Sequence, residues 1–261
     1  MKSARAAPSR ATPSPAMDPD SWRDMDRVFA LEGEPMRVHR NGRGVWRLDL
    51  SDGTYYLKRF WFRFRYPMKS RLSRGNHELR MIDWLNANGF AGPEVAARRE
   101  ERRWGWGTRL FFLMREVSGE VPVSQAWLDR KDERPALLAA CAAYVARLHQ
   151  RGFHHHDLMT KHLFAASGPK GWSFRNIDVE RATVGAPNPK KAARDLLTLA
   201  CSVHFEPLRT ELLTRFVDDY LAARPELDAA GFRALHERLS PNNNLKRELK
   251  DPILVEDEDP C

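Results

Sequence analysis

The feature that most constrains this chain is a pair of aspartates in its second half. Asp157 follows an apolar segment and the run His154-His155-His156, and a short hydrophobic segment begins soon after it. Asp178 stands roughly twenty residues further on, at the end of another short hydrophobic run. Apolar runs of these lengths are typical of buried helices and strands, so the aspartates that interrupt them are predicted on loops. The simplest interpretation is that two carboxylates lie on adjacent loops.

The residues around these aspartates follow a recognisable pattern. A phosphotransferase separates its base from its metal ligand in this way, and the protein-kinase signature H-R-D-L-x-x-x-N supplies a proton-accepting Asp and a metal-holding Asn. Here His155-His156-Asp157-Leu158 keeps that frame, with His156 in place of Arg and His162 in place of Asn. The segment Ile177-Asp178-Val179-Glu180-Arg181-Ala182 stands where most kinases carry D-F-G. In this variant form the chain resembles the bacterial lipopolysaccharide core kinases, which phosphorylate heptose or 3-deoxy-octulosonic acid.

The resemblance spans roughly residues 40 to 205 and implies an α+β, two-lobed protein-kinase-like fold. Such a fold has a small β-rich N-lobe with one main helix and a mostly helical C-lobe. We expect a disordered tail over residues 1–20, a nucleotide-binding N-lobe over 21–118, a C-lobe with the catalytic loop and acceptor site over 119–245, and a tail over 246–261. Residues 1–20 hold too few large apolar side chains to offset the entropy of ordering.

Hydrophobic patterning predicts the elements of these lobes. Alternation predicts a hairpin over residues 45–60, and two further strands over 93–97 and 108–117 around an Arg-rich turn from Arg98 to Arg103. Apolar spacing predicts helices over residues 75–86, 135–149 and 192–201, and two more helical segments between 210 and 239.

Lys58 and Glu78 are the candidates for holding the nucleotide phosphates. Lys58 lies in the second strand of the hairpin, and Glu78 lies in the first turns of the next helix. Kinases use this order of strand, lysine, helix and glutamate to direct the lysine at the α- and β-phosphates. The alternative is that Glu78 is a surface residue whose charge suits the helix dipole.

Four residues are predicted to touch the nucleotide through their backbone. Gly42 and Gly44 could form a tight turn whose N–H groups approach phosphate, although a single G-x-G also fits an ordinary turn. In the kinase plan the residues after the last N-lobe strand contact the adenine ring through the main chain, which implies Glu116 and Val117.

The resemblance assigns the chemistry to Asp157 as base and to Asp178 as ligand of the Mg²⁺ that accompanies ATP. His162 departs from ordinary kinases because Mg²⁺ prefers oxygen donors. It therefore ligates the metal itself, acts through a metal-bound water or donates a hydrogen bond to phosphate. Asp195, near the start of a predicted helix, is expected to brace the backbone of the catalytic loop; the alternative is a helix-end charge. A separate zinc site is disfavoured, since consecutive histidines cannot converge on one ion.

Composition sets the cellular context. The 261 residues are 42% hydrophobic and 30% charged with a net charge of +8, which favours an anionic partner such as nucleic acid, an acidic membrane surface or a phosphorylated glycan. No apolar run reaches about 18 residues and the start lacks the apolar region of a secretory signal. The three cysteines have no zinc or redox spacing. We expect a cytoplasmic protein, either free or peripheral on the cytoplasmic face of the inner membrane.

The segment from Lys58 to Arg74 interleaves seven cations with aromatic rings and contains no acid. Such a segment suits an anionic lipid interface, single-stranded nucleic acid, or simply a strand followed by a basic loop in water. Because the resemblance implies a lipid-linked sugar acceptor, we expect it to dock on the inner membrane surface, with no nucleic-acid partner.

The function predicted from the sequence is ATP-dependent phosphorylation of a sugar hydroxyl in the lipopolysaccharide core. The alternatives are another small-molecule or protein kinase of the same fold, and a non-catalytic basic module that binds RNA or membrane. No A-P-E sequence follows Asp178, which argues against a regulated protein kinase.

Overall fold

A computed structural model describes residues 22–39, 43–62, 72–103, 107–202 and 206–243. Both predicted tails, Gly42 and residues 63–71 of the basic aromatic segment lie outside these ranges. The chain divides into two compact units, the first made of Met1–Gly75 and Glu94–Val117 and the second of Asn76–Pro93 and Ser118–Cys261. Residues 76–93, placed in the N-lobe by the sequence analysis, thus group with the second unit.

The first unit is an antiparallel sheet of five strands in the order β1-β2-β3-β5-β4. Its elements are α1 Met25–Ala30, β1 Glu34–Val38, β2 Gly44–Leu50, β3 Gly53–Phe62, β4 Val95–Arg103 and β5 Gly107–Arg115. The predicted hairpin is therefore confirmed as β2 and β3, and the strand predicted over 108–117 as β5. The short helix α1 and the strand β1 were not predicted.

The alternation of β3 separates the two faces of this sheet. Leu57 belongs to the apolar cluster that receives Met25 and Val28 of α1. Arg59, on the same face, donates hydrogen bonds to the carbonyl groups at the end of α1 and lies over the Trp46 ring, 3.6 Å from its centroid. Lys58 points to the opposite face, where its ammonium lies 5.9 Å from the centroid of Phe112. The face that carries Lys58 is thus distinct from the face that α1 covers.

The Arg-rich turn predicted from Arg98 to Arg103 is wrong, because these residues continue strand β4. Arg98 pairs with Phe112 and Arg103 with Gly107. In the described sheet β4 is the edge strand, with a strand neighbour on one side only, and charged side chains at such an edge can reach water. Clustered arginines therefore do not break the strand at this position.

The second unit is mostly helical. Its elements are α2 Leu72–Ala87 (apart from its first residues), β6 Val121–Pro122, α3 Val123–Asp129, α4 Arg134–Gln150, β7 Phe153–His154, β8 Leu163–Gly168, β9 Gly171–Asn176, β10 Thr183–Val184, α5 Pro189–Cys201, α6 Glu206–Ala222 and α7 Ala229–Asn243. The predicted helices are confirmed as α2 and α4 to α7. Strand β7 pairs with β10, and β8 lies between β6 and β9. Among the described helices, none is long and apolar enough to cross a membrane.

Helix α2 contacts the rest of the second unit through His77 and Trp84. His77 Nε2 donates to the Ala182 carbonyl at 2.6 Å. Trp84 stacks on Phe153 of β7 with ring centroids 5.3 Å apart. These contacts explain why residues 76–93 belong with the helical unit.

The turn that ends α4 requires glycine. Gly152 has a φ of 75°, and a Cβ atom added there would lie 1.7 Å from the carbonyl oxygen of Gly185. The two glycines meet because Gly185 N–H donates to the Gly152 carbonyl at 3.1 Å. This backbone contact joins the start of the catalytic loop to the segment after Asp178.

We expect Gly152→Ala to destabilise the protein by several kcal/mol, because a Cβ atom meets backbone that cannot move without breaking the β7–β10 pair. Gly89→Ala is a matched control, since Gly89 has a φ of 76° but nothing within 4 Å of an added Cβ atom. Urea denaturation measures both changes. Equal losses of unfolding free energy in the two variants would show that the backbone conformation alone, not the contact, demands glycine.

Candidate active site

The carboxylate of Asp195 on α5 holds the loop that carries Asp157. Its two oxygens accept hydrogen bonds from the backbone N–H groups of His155 and His156, each at 2.8 Å. Burial disfavours the charge of Asp195, but hydrogen bonds from His149 and from the His155 backbone outweigh this penalty and hold its pKa below the usual value. The bracing role predicted for Asp195 is confirmed by these contacts.

A buried chain of hydrogen bonds supports Asp195 from behind. His149 Nε2 donates to Asp195 Oδ2 at 3.2 Å. The Tyr220 hydroxyl donates to His149 Nδ1 at 3.1 Å and accepts from Arg224 at 3.1 Å. These directions follow from the network, because a carboxylate only accepts. Helices α4, α5 and α6 are thus joined beneath the catalytic loop.

The same residues form the group of donor atoms that could be mistaken for a metal site. Donor atoms of His149, His154 and Asp195 lie within 4.8 Å of one another. A metal would have to displace the bonds through which Asp195 holds the loop. His154 has no hydrogen-bond partner for either ring nitrogen among the described residues, and burial lowers its pKa to about 4. The group is therefore best interpreted as structural.

Two hydrogen bonds tie the loop of Asp157 to the loop of Asp178, and a third lies within the loop of Asp157. His155 Nε2 donates to the Ile177 carbonyl at 3.1 Å. Ile177 N–H donates to the His162 carbonyl at 2.9 Å, and His162 Nδ1 donates to the Asp157 carbonyl at 2.9 Å. The prediction that two carboxylates lie on adjacent loops is thus met within the second unit.

His162 lies between the two aspartates. Its Nε2 is 3.7 Å from Asp178 Oδ2, and its Nδ1 is 4.0 Å from Asp157 Oδ2. In the tautomer that donates Nδ1–H to the Asp157 carbonyl, Nε2 carries the lone pair. That lone pair is free to act as a ligand on the side of Asp178. A separation of 3.7 Å is too long for a hydrogen bond between Nε2 and the carboxylate.

This pair of donors fits a divalent cation. Two ligands at about 2.1 Å from one ion are at most about 4.2 Å apart, and the distance between His162 Nε2 and Asp178 Oδ2 falls below that limit. The carboxylate supplies a hard oxygen and the imidazole a nitrogen. Asp178 is partly exposed, with 38% of its side chain open to solvent, so a nucleotide-bound cation can reach it.

The backbone is strained at two positions of the site. His156 and Asp178 have φ values of 59° and 53° and are the non-glycine residues with positive φ in the described chain. Such conformations cost of order 1 kcal/mol and cluster at functional sites. At His156 the bonds to Asp195 hold the conformation in place.

The remaining predicted residues lie in different parts of the fold. Glu78 is buried in α2 of the second unit, whereas Lys58 is on β3 of the first. Gly44 starts β2, where an added Cβ atom would overlap the Trp46 ring, so packing already explains this glycine. Glu116 N–H donates to the Thr54 carbonyl at 2.9 Å. Because its N–H is already used, the backbone contact predicted between Glu116 and adenine would have to use the Glu116 carbonyl oxygen. Val117 follows it at the end of the first unit.

Several residues of the site were not identified from the sequence. His77 binds the segment after Asp178, although it is separated from Ala182 by 105 residues. Tyr220 supports Asp195 from α6, and Lys191 of α5 donates to the Thr183 hydroxyl at 3.2 Å. The sequence held one local sign of this network: a histidine, His149, at the end of an apolar helix and just before Gly152.

Comparison with known proteins agrees with this geometry. Residues 27–220 match the family model described as "Lipopolysaccharide kinase (Kdo/WaaP) family". A search of curated proteins gives no match. Among solved structures 1211 chains match, including one described as "WaaP in complex with acyl carrier protein", with a TM-score of 0.59, 22% identity, and coverage of 84% of this chain and 91% of that one.

These findings confirm the α+β, protein-kinase-like fold and the assignment as a kinase of lipopolysaccharide core sugars. The family model covers most of the chain, including the whole segment from Asp157 to Asp195. With its braced catalytic loop and its two linked aspartates, the chain belongs to the lipopolysaccharide kinase (Kdo/WaaP) family.

Proposed function

We propose that this protein transfers the γ-phosphoryl group of ATP to a hydroxyl of a heptose or 3-deoxy-octulosonic acid residue in the lipopolysaccharide core. The observation that carries this proposal is the placement of His162 between Asp157 and Asp178, with a lone pair facing the second carboxylate. A proton acceptor and a cation-binding pair in one rigid unit are the parts that phosphoryl transfer requires.

Asp157 acts as the base. A sugar hydroxyl is a weak nucleophile, so the carboxylate orients it towards the γ-phosphorus and takes its proton late in the reaction. This role depends on position, which the bonds from Asp195 to the His155 and His156 backbone supply. The carboxylate of Asp157 is 19% exposed, which leaves room for a hydroxyl to approach.

Asp178 and His162 would hold the Mg²⁺ that accompanies ATP. The bound cation neutralises charge on the β- and γ-phosphates. Lys58 is proposed to bind the α- and β-phosphates and Glu78 to orient Lys58, as their order in the sequence implies. Gly42 and Gly44 would approach the phosphates, and the backbone of Glu116 and Val117 would meet the adenine ring. Residues 21–118 would thus bind nucleotide, while 119–245 would bind the acceptor.

We expect Asp157→Asn to lower the rate of phosphate transfer by roughly 10²- to 10⁴-fold, because the amide cannot take the proton. Binding of ATP should stay nearly unchanged, since the base contacts the acceptor. Mass spectrometry of purified core oligosaccharide after reaction with ATP measures transfer, and calorimetry measures nucleotide affinity. Asp132→Asn, at an exposed position, is the control. Substantial transfer by Asp157→Asn would refute the assignment of the base.

The metal preference tests the role of His162. A nitrogen ligand favours Mn²⁺ over Mg²⁺ relative to an all-oxygen site, so the native enzyme should bind Mn²⁺ more tightly in the presence of ADP. His162→Asn should reduce this preference about tenfold. Electron paramagnetic resonance of Mn²⁺ measures binding without turnover. Identical metal preferences in the two proteins would place His162 outside the coordination sphere.

We further propose that the protein works on the cytoplasmic face of the inner membrane as a peripheral protein. Trp61, at the end of β3, is 42% exposed, and its ring suits the headgroup region of an anionic bilayer. Trp61→Ala should reduce co-sedimentation with liposomes containing phosphatidylglycerol several-fold. Met36→Ala is the control, because Met36 is also exposed, at 53%, on the edge strand β1. Equal binding of both variants and the native protein would remove Trp61 from the proposed interface.

A further inference from the structure

Three side chains meet next to the catalytic loop, and a fourth, Arg194, lies near enough for its charge to act on His156. Thr183 Oγ1 lies 2.8 Å from His156 Nε2 and accepts a hydrogen bond from Lys191 Nζ at 3.2 Å. Arg194 follows Lys191 by three positions on α5, so the two project from the same side of the helix. We call His156, Thr183, Lys191 and Arg194 the cationic cluster. His156 directly precedes Asp157 in the chain, so the cluster adjoins the loop that carries Asp157.

The two cations of the cationic cluster, Lys191 and Arg194, are not paired with an acid in the described part of the chain. The hydroxyl that Lys191 contacts is neutral. Asp195, on the same helix, is buried and directs both oxygens at backbone N–H groups. The cations are therefore available to an external anion.

The position of these cations is also unfavourable for the helix that carries them. Lys190 and Lys191 lie in the first turn of α5, which contains no acid. The N-terminus of a helix carries partial positive charge and is stabilised by anions, not cations. Two lysines in the first turn of a helix go against this preference, and such local conflicts are typical of functional sites. A bound anion would be attracted by both the side chains and the helix end.

We propose that the cationic cluster binds a phosphate or carboxylate group of the acceptor glycan and thereby presents the acceptor hydroxyl to Asp157. This inference rests on the proposed function, which it deepens by naming an anionic group close to the accepting hydroxyl. Lys191 offers a point charge, and Arg194 offers a planar fork suited to a two-oxygen anion. Such contacts position the acceptor without taking part in the transfer.

The test compares Lys191→Gln, Arg194→Gln and the double variant with Lys170→Gln, which removes an exposed cation elsewhere in the second unit. The acceptors are native core oligosaccharide, the same glycan freed of phosphate esters, and the same glycan with its carboxyl groups reduced. We expect each single variant to raise the KM for native acceptor about tenfold and to leave kcat and the KM for ATP within twofold. The loss should vanish with the acceptor that lacks the bound anion, which identifies the group as phosphate or carboxylate.

Thr183→Val separates charge from local structure. It removes the hydroxyl that joins His156 and Lys191 but keeps every cation, so the KM for native acceptor should change much less than in Lys191→Gln. An equal change in both would overturn the proposal, because the hydrogen bond and not the charge would then matter. Equal losses on all three acceptors, or no loss on the native one, would also overturn it.

A second measurement covers the case in which no glycan is phosphorylated. Inorganic phosphate is titrated into the native protein and the double variant, and the ring signals of His156 are followed by NMR. If these signals shift in the native protein alone, the cationic cluster is an anion site and only the proposed function fails. If they do not respond in the native protein, the inference of an anion site fails as well.

Discussion

The site depends on the hydrogen bonds between one buried carboxylate and two adjacent backbone N–H groups. Asp195 fixes the peptide groups of His155 and His156, and this holds His156 in its left-handed conformation. Leaving such donors unpaired in the interior would cost several kcal/mol in total. The chain from Arg224 through Tyr220 and His149 keeps the carboxylate charged and oriented. The catalytic loop is therefore rigid before any substrate binds.

Hydrogen bonds also connect the catalytic loop to the loop that carries Asp178. His155 and His162 belong to the catalytic loop, yet their side-chain and backbone bonds reach Ile177 and hold the segment that carries Asp178. The histidines of the motif are thus not interchangeable. His155 joins the loops, His156 faces the segment after Asp178 through Thr183, and His162 lies between Asp157 and Asp178. A series that looks repetitive in the sequence performs three different tasks.

The sequence was informative where a local pattern carries the information. Alternation located β2 and β3, and the spacing of Asp157, His162 and Asp178 was enough to predict adjacent loops, because short motifs encode their own turns. It was misleading at Arg98 to Arg103, since charge suggests a turn unless the edge position of β4 is known. Helix α1 is too short for a periodic signal. The contact of His77 with Ala182 joins distant parts of the chain, which no local pattern can show.

The second unit is made of two separate segments of the chain, and the first segment contains most of helix α2. Its Trp84 covers Phe153, and Phe90, just beyond the helix, contacts Tyr144 of α4. During synthesis α2 leaves the ribosome long before α4 and β7 are made. Its apolar side therefore has no partner in these elements while the strands of the first unit are completed. A fragment beginning at Ser118 would lack these rings and expose Phe153 and Tyr144, a state prone to aggregation. The core of the second unit therefore depends on a segment that precedes Ser118 in the chain.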